Sequence, residues 1–141
     1  MKHFLSALLA AAILLSGLLL IGCDAPGVYR MDDVLPPLID AKTQYPYVES
    51  ITVEQASSGK TLELTAPAEL DKLRMQFEGI KAIREKTEGE TEYLYRVTFF
   101  TTDGEMQLFI VSGEQYVMDG YLYEIMRAGI DLVYFDSLFA E

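Results

Sequence analysis

Apolar and polar residues alternate along two neighbouring stretches of the chain. Ile51 and Val53 alternate with polar residues, and so do Leu62 and Leu64 after the turn-forming run at 57–60. Successive side chains of a strand point to opposite faces, so this alternation is typical of strands that are buried on one side. The pattern predicts a β-hairpin.

A helical spacing follows the hairpin. Leu70, Leu73, Phe77 and Ile80 recur three or four residues apart, and Pro67 is a residue that favours a helix start. These positions lie on one side of a helix. We therefore expect one amphipathic helix packed on a face of the sheet.

Two Asp-Gly dipeptides divide the second half of the chain. Residues 93–101 are rich in aromatic and β-branched side chains, and the dipeptide at 103–104 suits a two-residue type I′ turn. With those two residues as the loop, Thr98 would face Phe109 on the next strand.

The second dipeptide, at 119–120, predicts another hairpin, in which Tyr116 faces Tyr123. The loop at 112–114 decides which face of the sheet these tyrosines join. A three-residue loop puts them on the helix side, whereas a two-residue loop would bury Glu124. Because burial of an unpaired carboxylate is costly, we expect three residues.

The last segment, residues 130–141, fits either a short helix that begins at Asp131 or a strand over 132–135, and the helix is favoured. Residues 87–92 form a polar break before the second group of strands. The predicted fold is thus α+β, with an antiparallel sheet in the order β-β-α-β-β-β-β and a short C-terminal helix.

The beginning of the chain has the pattern of a secretory signal. Lys2 and His3 precede the 18 uncharged, mostly apolar residues 4–21, which end in Leu-Ile and are followed by Gly22 and Cys23. This ending resembles the lipobox of bacterial lipoproteins. The resemblance implies cleavage before Cys23 and a diacylglyceryl group on its sulfur. The alternative is an uncleaved anchor, because about 20 apolar residues in a helix can cross a bilayer.

Both alternatives place the rest of the chain on the extracytoplasmic face of the cell membrane. Residues 1–22 are then a lipoprotein signal peptide, residues 23–44 a tether or linker with three prolines, and residues 45–141 a single α+β domain. The apolar residues of the linker leave a second possibility, that it packs onto the domain. These residues are Val34, Leu35, Leu38 and Ile39.

Charge argues against some partners. Removal of residues 1–22 takes away one basic residue, which leaves 10 basic and 22 acidic residues and a formal net charge of −12. Such a surface is expected to repel nucleic acid and anionic lipid headgroups.

The missing residue types limit the chemistry. His3 is the only histidine and Cys23 the only cysteine, so the mature chain has no Ser-His-Asp or Cys-His arrangement and no ordinary zinc ligands. Glycine-rich phosphate-binding motifs are absent, and we expect no cofactor, no metal and no enzymatic activity. A pair of carboxylates could still support glycan hydrolysis, which leaves an envelope glycan-processing enzyme as an alternative.

Aromatic residues provide the candidate binding site. On the face away from the predicted helix we expect a patch that is either covered by the tail or by residues 24–44, or is open to a protein, peptide or envelope-glycan partner. Its residues are Arg96, Phe100, Phe109, Val111, Val117 and Leu122.

In size and layout the chain resembles small lipoproteins of Gram-positive type with a compact α+β domain of unknown activity. The resemblance implies no catalytic residues. The expected function is that of a membrane-tethered, extracytoplasmic binding or accessory module, with a self-associating structural protein as a further alternative.

Overall fold

In the residues that the computed structural model describes, 27–88 and 92–140, an antiparallel sheet of eight strands carries three short helices on one face. The strands are β1 (Val28–Arg30), β2 (Val48–Gln55), β3 (Thr61–Leu64), β4 (Lys81–Glu88), β5 (Tyr95–Thr101), β6 (Gly104–Ile110), β7 (Gln115–Met118) and β8 (Tyr121–Arg127). The helices are α1 (Met31–Val34), α2 (Pro67–Met75) and α3 (Leu132–Leu138). Across the sheet the order is β1-β4-β8-β7-β6-β5-β2-β3.

The predicted first hairpin is confirmed as β2 and β3. Ile51 faces Leu64 and Val53 faces Leu62, so the alternating apolar residues share the face that is covered by the helices. We call this the inner face and the opposite one the outer face.

The predicted amphipathic helix is shorter than its apolar stripe. It ends at Met75, yet Phe77 and Ile80, which follow in a turn, are buried as fully as Leu73. Gly79 has φ +74°, a conformation that ends a helix readily. The spacing therefore predicted the buried residues correctly, although the last two of them lie outside the helix.

The turn between β5 and β6 lies one residue earlier than predicted, which shifts the pairing of the two strands by two residues. Thr101 faces Gly104, so Thr102 and Asp103 form the loop, and Phe109 faces Arg96 instead of Thr98. The Thr101 hydroxyl accepts a hydrogen bond from the Asp103 amide and donates one to the Gly104 carbonyl, which stabilises the loop at this position. A shift of two residues keeps every side chain on its predicted face.

The second hairpin is confirmed in detail. Tyr116 faces Tyr123 across a turn in which Asp119 has φ +52° and Gly120 has φ +79°, as a type I′ turn requires. Val111 bonds to Gln115 around a three-residue loop, and both tyrosines are buried on the inner face.

The strands β1 and β4 were not predicted. Strand β4 covers the segment that follows α2 and includes the start of the expected polar break, the rest of which lies partly outside the described residues. It pairs with β8 on one side and with β1 on the other. The sheet is therefore two strands wider than the sequence pattern indicated.

The segment before Tyr45 packs onto the sheet for much of its length. Met31 and Leu35 are buried, Val34 and Leu38 are half-buried against the core, and Ile39 is 56% exposed. Backbone and side-chain hydrogen bonds hold this segment, from the Met31 amide to the Ile80 carbonyl at 3.0 Å and from Arg74 Nε to the Pro36 carbonyl at 3.3 Å. The packed part of the chain thus extends back to Val28.

The C-terminal helix forms as predicted. Asp131 caps it, because its carboxylate accepts hydrogen bonds from the amides of Val133 at 3.0 Å and Tyr134 at 3.4 Å. Phe135 is completely buried, with its ring centroid 5.9 Å from that of Phe77. Within the described ranges, no helix has the length and hydropathy needed to cross a membrane.

Candidate functional site

Four of the predicted binding residues lie side by side across four strands. Arg96 on β5 faces Phe109 on β6, which faces Val117 on β7, which faces Leu122 on β8. Directly opposed residues of a sheet point to the same side, and this side is the outer face. We call these four residues the cross-strand row.

A polar group closes one end of the row. Glu54 on β2 faces Arg96 and forms an ion pair with it, with 2.5 Å between Arg96 Nη2 and Glu54 Oε2. Its other carboxylate oxygen accepts a hydrogen bond from the Tyr93 hydroxyl at 3.2 Å. The Tyr93 ring meets that of Phe109 edge to face, with 5.0 Å between centroids. The row therefore has an apolar middle and a charged, hydrogen-bonded end.

Two predicted residues stand at different distances from the row. Val111 lies one residue beyond the end of β6 and two residues after Phe109, so it adjoins the row. Phe100 faces Ser50 and Glu105, four residues along β5 from Arg96, or roughly 13 Å at the usual rise of a strand. The structure thus brings together five of the six predicted residues and separates Phe100 from them.

The elements that were expected to cover this face lie on the other one. Leu35 from the N-terminal segment and Phe135 from the tail belong to the core cluster on the inner face. In residues 27–88 and 92–140 no helix lies over the outer face. Val117 is 8% exposed through packing within the sheet, and Phe109 and Leu122 are half-buried.

No protein-family model, curated protein or solved structure matches this chain. Its own geometry therefore carries the functional argument. Cys23, the predicted lipidation site, lies outside the described residues.

A groove that was not predicted lies between the N-terminal segment and the β5–β6 turn. It is open, measures about 690 Å³ and has apolar walls that include Tyr47 and Met106. Its carboxylates are Asp33, Asp40, Asp103 and Glu105, and Lys42 is its one cation among the described residues. These residues are far apart in sequence, which is why no motif indicated the groove.

The hydroxyl of buried Tyr95 takes part in packing between the sheet and the C-terminal helix. Burial raises the pKa of Tyr95 above its ordinary value, and so does the hydrogen bond that the Tyr95 hydroxyl donates to the Asp136 carboxylate. This bond joins β5 to α3, next to the ring contact between Tyr95 and Phe135 at 5.4 Å. Among the described residues, no group of three His, Cys, Asp or Glu side chains is placed to hold a metal ion.

Proposed function

We propose that this chain is a lipoprotein tethered through Cys23 to the extracytoplasmic face of the cell membrane, where it acts as a non-enzymatic binding module. Its partner is a polypeptide of the cell envelope that contacts the cross-strand row. The observation that carries the proposal is the row itself, an aromatic and aliphatic strip that the described helices leave uncovered.

The composition of the row supports a protein partner. Protein interfaces commonly have an apolar centre enriched in aromatic residues and arginine, with a polar rim. Phe109 and Leu122 supply the apolar part, and the Arg96–Glu54 pair supplies directional hydrogen-bonding groups at its border. The ion pair also fixes the Arg96 side chain, so less conformational entropy is lost on binding.

The tether rests on the lipobox-like residues 20–23 and the apolar run before them. Two acyl chains on one cysteine give stable membrane attachment, whereas a single chain binds only marginally. Mass spectrometry of the full-length product from a bacterial host tests this. We expect cleavage before Cys23 and a diacylglyceryl modification, and Cys23→Ser should leave the signal segment unprocessed. An unmodified sulfur on a processed chain would contradict the proposal.

The binding surface is tested by photo-crosslinking in bacterial membranes. A photoreactive amino acid at position 109 should give a discrete adduct whose partner mass spectrometry identifies, whereas one at position 133 should not. Val133 is a matched control, because it is 76% exposed and lies on α3, on the other side of the sheet.

Substitution at the same two positions completes the test. Phe109→Asp should abolish the adduct formed from a second reporter at Leu122, and Val133→Asp should not. Circular dichroism melting of both variants checks that they are folded. An adduct that survives Phe109→Asp in a folded chain would reject the row as the contact surface.

A carboxylate-dependent glycan hydrolase is the second candidate, and the groove favours it by bringing Asp103 and Glu105 beside Asp33 and Asp40. Glycoside hydrolysis needs one carboxylic acid and one carboxylate across the scissile bond. Incubation of the chain with peptidoglycan fragments tests this. Hydrolysis that is lost in both Asp103→Asn and Glu105→Gln would favour the enzyme over the binding module.

A further inference from the structure

Three basic residues lie next to one another on an otherwise acidic molecule. Arg30 at the end of β1 faces Lys81 on β4, and Lys81 faces Arg127 on β8. Arg30 and Arg127 are exposed, and Lys81 is half-buried. Directly opposed residues point to the same side of a sheet, so the three cations form one line on the outer face. We call this line the cationic row.

Exposed apolar side chains flank the cationic row. An extra residue in β8, Met126, interrupts the pairing between Lys81 and Ala82, and its side chain is 57% exposed. Ile83, the next outward-facing residue of β4, is 42% exposed. Glu124 faces Ile83 and limits the patch on the side away from the cations. Cations beside exposed aliphatic groups suit the boundary between lipid headgroups and acyl chains.

The sequence places the proposed anchor close to this patch. Cys23 precedes Val28, the first residue of β1, by five residues, so the two are separated by at most about 18 Å of extended chain. Arg30 follows only two residues later, on the same edge strand. A lipid on Cys23 would therefore hold the β1–β4–β8 edge of the sheet at the membrane surface.

We propose that the cationic row binds anionic phospholipid headgroups and sets the orientation of the tethered domain on the membrane. This inference rests on the tether proposed above. The net charge of −12 does not oppose it at short range, because exposed charges are screened beyond about 8–10 Å at physiological salt. The tether supplies the proximity that the net charge would otherwise prevent.

This orientation has different consequences along the cross-strand row. Leu122 is on the same strand as Arg127, so that end of the row lies near the headgroups. Three strand steps separate β4 from β6, and neighbouring strands are rotated by about 20–25°, so the outer face turns by roughly 60–75° between them. When β4 rests on the headgroups, the outer face at Phe109 is therefore directed more nearly along the bilayer plane than into it.

The chain contains no tryptophan and one cysteine, which allows a direct test. The whole chain after residue 22 is coupled through Cys23 to a maleimide lipid, in vesicles of phosphatidylcholine alone or mixed with phosphatidylglycerol. A single tryptophan is introduced by Met126→Trp or by Val133→Trp. A spin label on the lipid headgroups quenches its fluorescence, and stronger quenching shows that the labelled position lies closer to the headgroups. Coupling through Cys23 imposes the tether, whether or not a cell lipidates that residue.

We expect the reporter at position 126 to be quenched more strongly than the one at position 133 in anionic vesicles. Each cation near an anionic surface raises the affinity of a protein for that surface about fivefold. The double variant Arg30→Gln with Arg127→Gln should therefore weaken binding of the domain to the headgroups about 25-fold. The excess quenching at position 126 should then disappear. The matched double variant Lys42→Gln with Lys72→Gln removes the same amount of charge elsewhere in the chain. It should retain the stronger quenching at position 126.

Equal quenching of the two reporters would overturn the inference. So would an excess that persists in pure phosphatidylcholine or after removal of both arginines, since the tether alone would then set the orientation. Failure of the tether proposal is a different result, namely an unmodified Cys23 in the native product.

Discussion

The rings of Tyr116 and Tyr123 stack across the β7–β8 pair, with 4.9 Å between their centroids and 5° between their planes. The Tyr116 hydroxyl is buried and has no hydrogen-bond partner among the described residues. A buried, unpaired hydroxyl lowers stability by about 1–3 kcal/mol. Tyr116 therefore stabilises the fold through its ring rather than through its oxygen.

Removal of that hydroxyl should stabilise the protein. We expect Tyr116→Phe to raise the free energy of unfolding by about 1 kcal/mol, because the stacked ring remains while the unpaired group is lost. Urea denaturation followed by circular dichroism measures the change. Tyr95→Phe is the control, since it loses the hydrogen bond to Asp136 and should lower the free energy of unfolding by about 1 kcal/mol. Destabilisation by both variants would contradict this account.

Stability should fall in alkaline solution. Burial raises the pKa of Tyr95, Tyr116 and Tyr123 above the ordinary value of 10.0. Below pH 10 both the folded and the unfolded chain keep these protons, so the tyrosines add no pH dependence. Above it the unfolded chain releases protons that the folded chain retains, and the free energy of unfolding decreases as pH rises.

Urea midpoints measured between about pH 9 and pH 11 test this expectation. Tyr116→Phe should reduce the decrease in stability at high pH, because the variant has one fewer buried hydroxyl that keeps its proton in the folded chain. Equal slopes for the wild-type chain and the variant would show that Tyr116 does not contribute.

Gly120 should be the more sensitive of two turn glycines. Its φ of +79° is in the left-handed region. Gly113 has no such φ, and a side chain there would make ordinary contacts with the Ile130 carbonyl at 3.5 Å and Leu132 Cδ1 at 4.0 Å. We expect Gly120→Ala to lower the free energy of unfolding by about 1–2 kcal/mol. Gly113→Ala should change it by less than about 0.5 kcal/mol. A reversed order, measured by thermal melting, would be incompatible with the type I′ turn.

Asp131 should stabilise α3 through its capping bonds. Asp131→Ala removes the acceptor for the amides of Val133 and Tyr134 and is expected to cost about 1 kcal/mol. Asp131→Asn keeps a capping oxygen and should retain most of the stability. Hydrogen exchange at the Tyr134 amide distinguishes the two, because only the alanine variant should exchange faster there.

The sequence was sufficient where each residue type had one local role. The Asp-Gly pair at 119–120 fixed both the turn and the register, since both positions require positive φ. At Asp103 the same dipeptide was misleading, because the Thr101 hydroxyl bonds to the Asp103 amide and the Gly104 carbonyl and moves the loop by one residue towards the N-terminus. The predicted face of each side chain was correct, because a shift of two residues does not exchange the two faces of a strand. The predicted cross-strand partner of Phe109 was wrong.

The remaining elements depend on contacts distant in sequence. Strand β4 has charged residues at Lys81, Arg84 and Glu85, so it lacks the alternation that predicts a strand. It becomes a strand because β8 and β1 pair with it on both sides. The cationic row could not be predicted without β4, since Lys81 is the residue that brings Arg30 and Arg127 together.

Across the described residues the sheet begins with β1, of three residues, and ends with β3, of four. A molecule that met another copy edge to edge would find few free backbone amides and carbonyls to share. Under the proposed tether, copies of the chain would meet often in the plane of the bilayer. The short edge strands would then favour separate molecules over fibrils joined edge to edge.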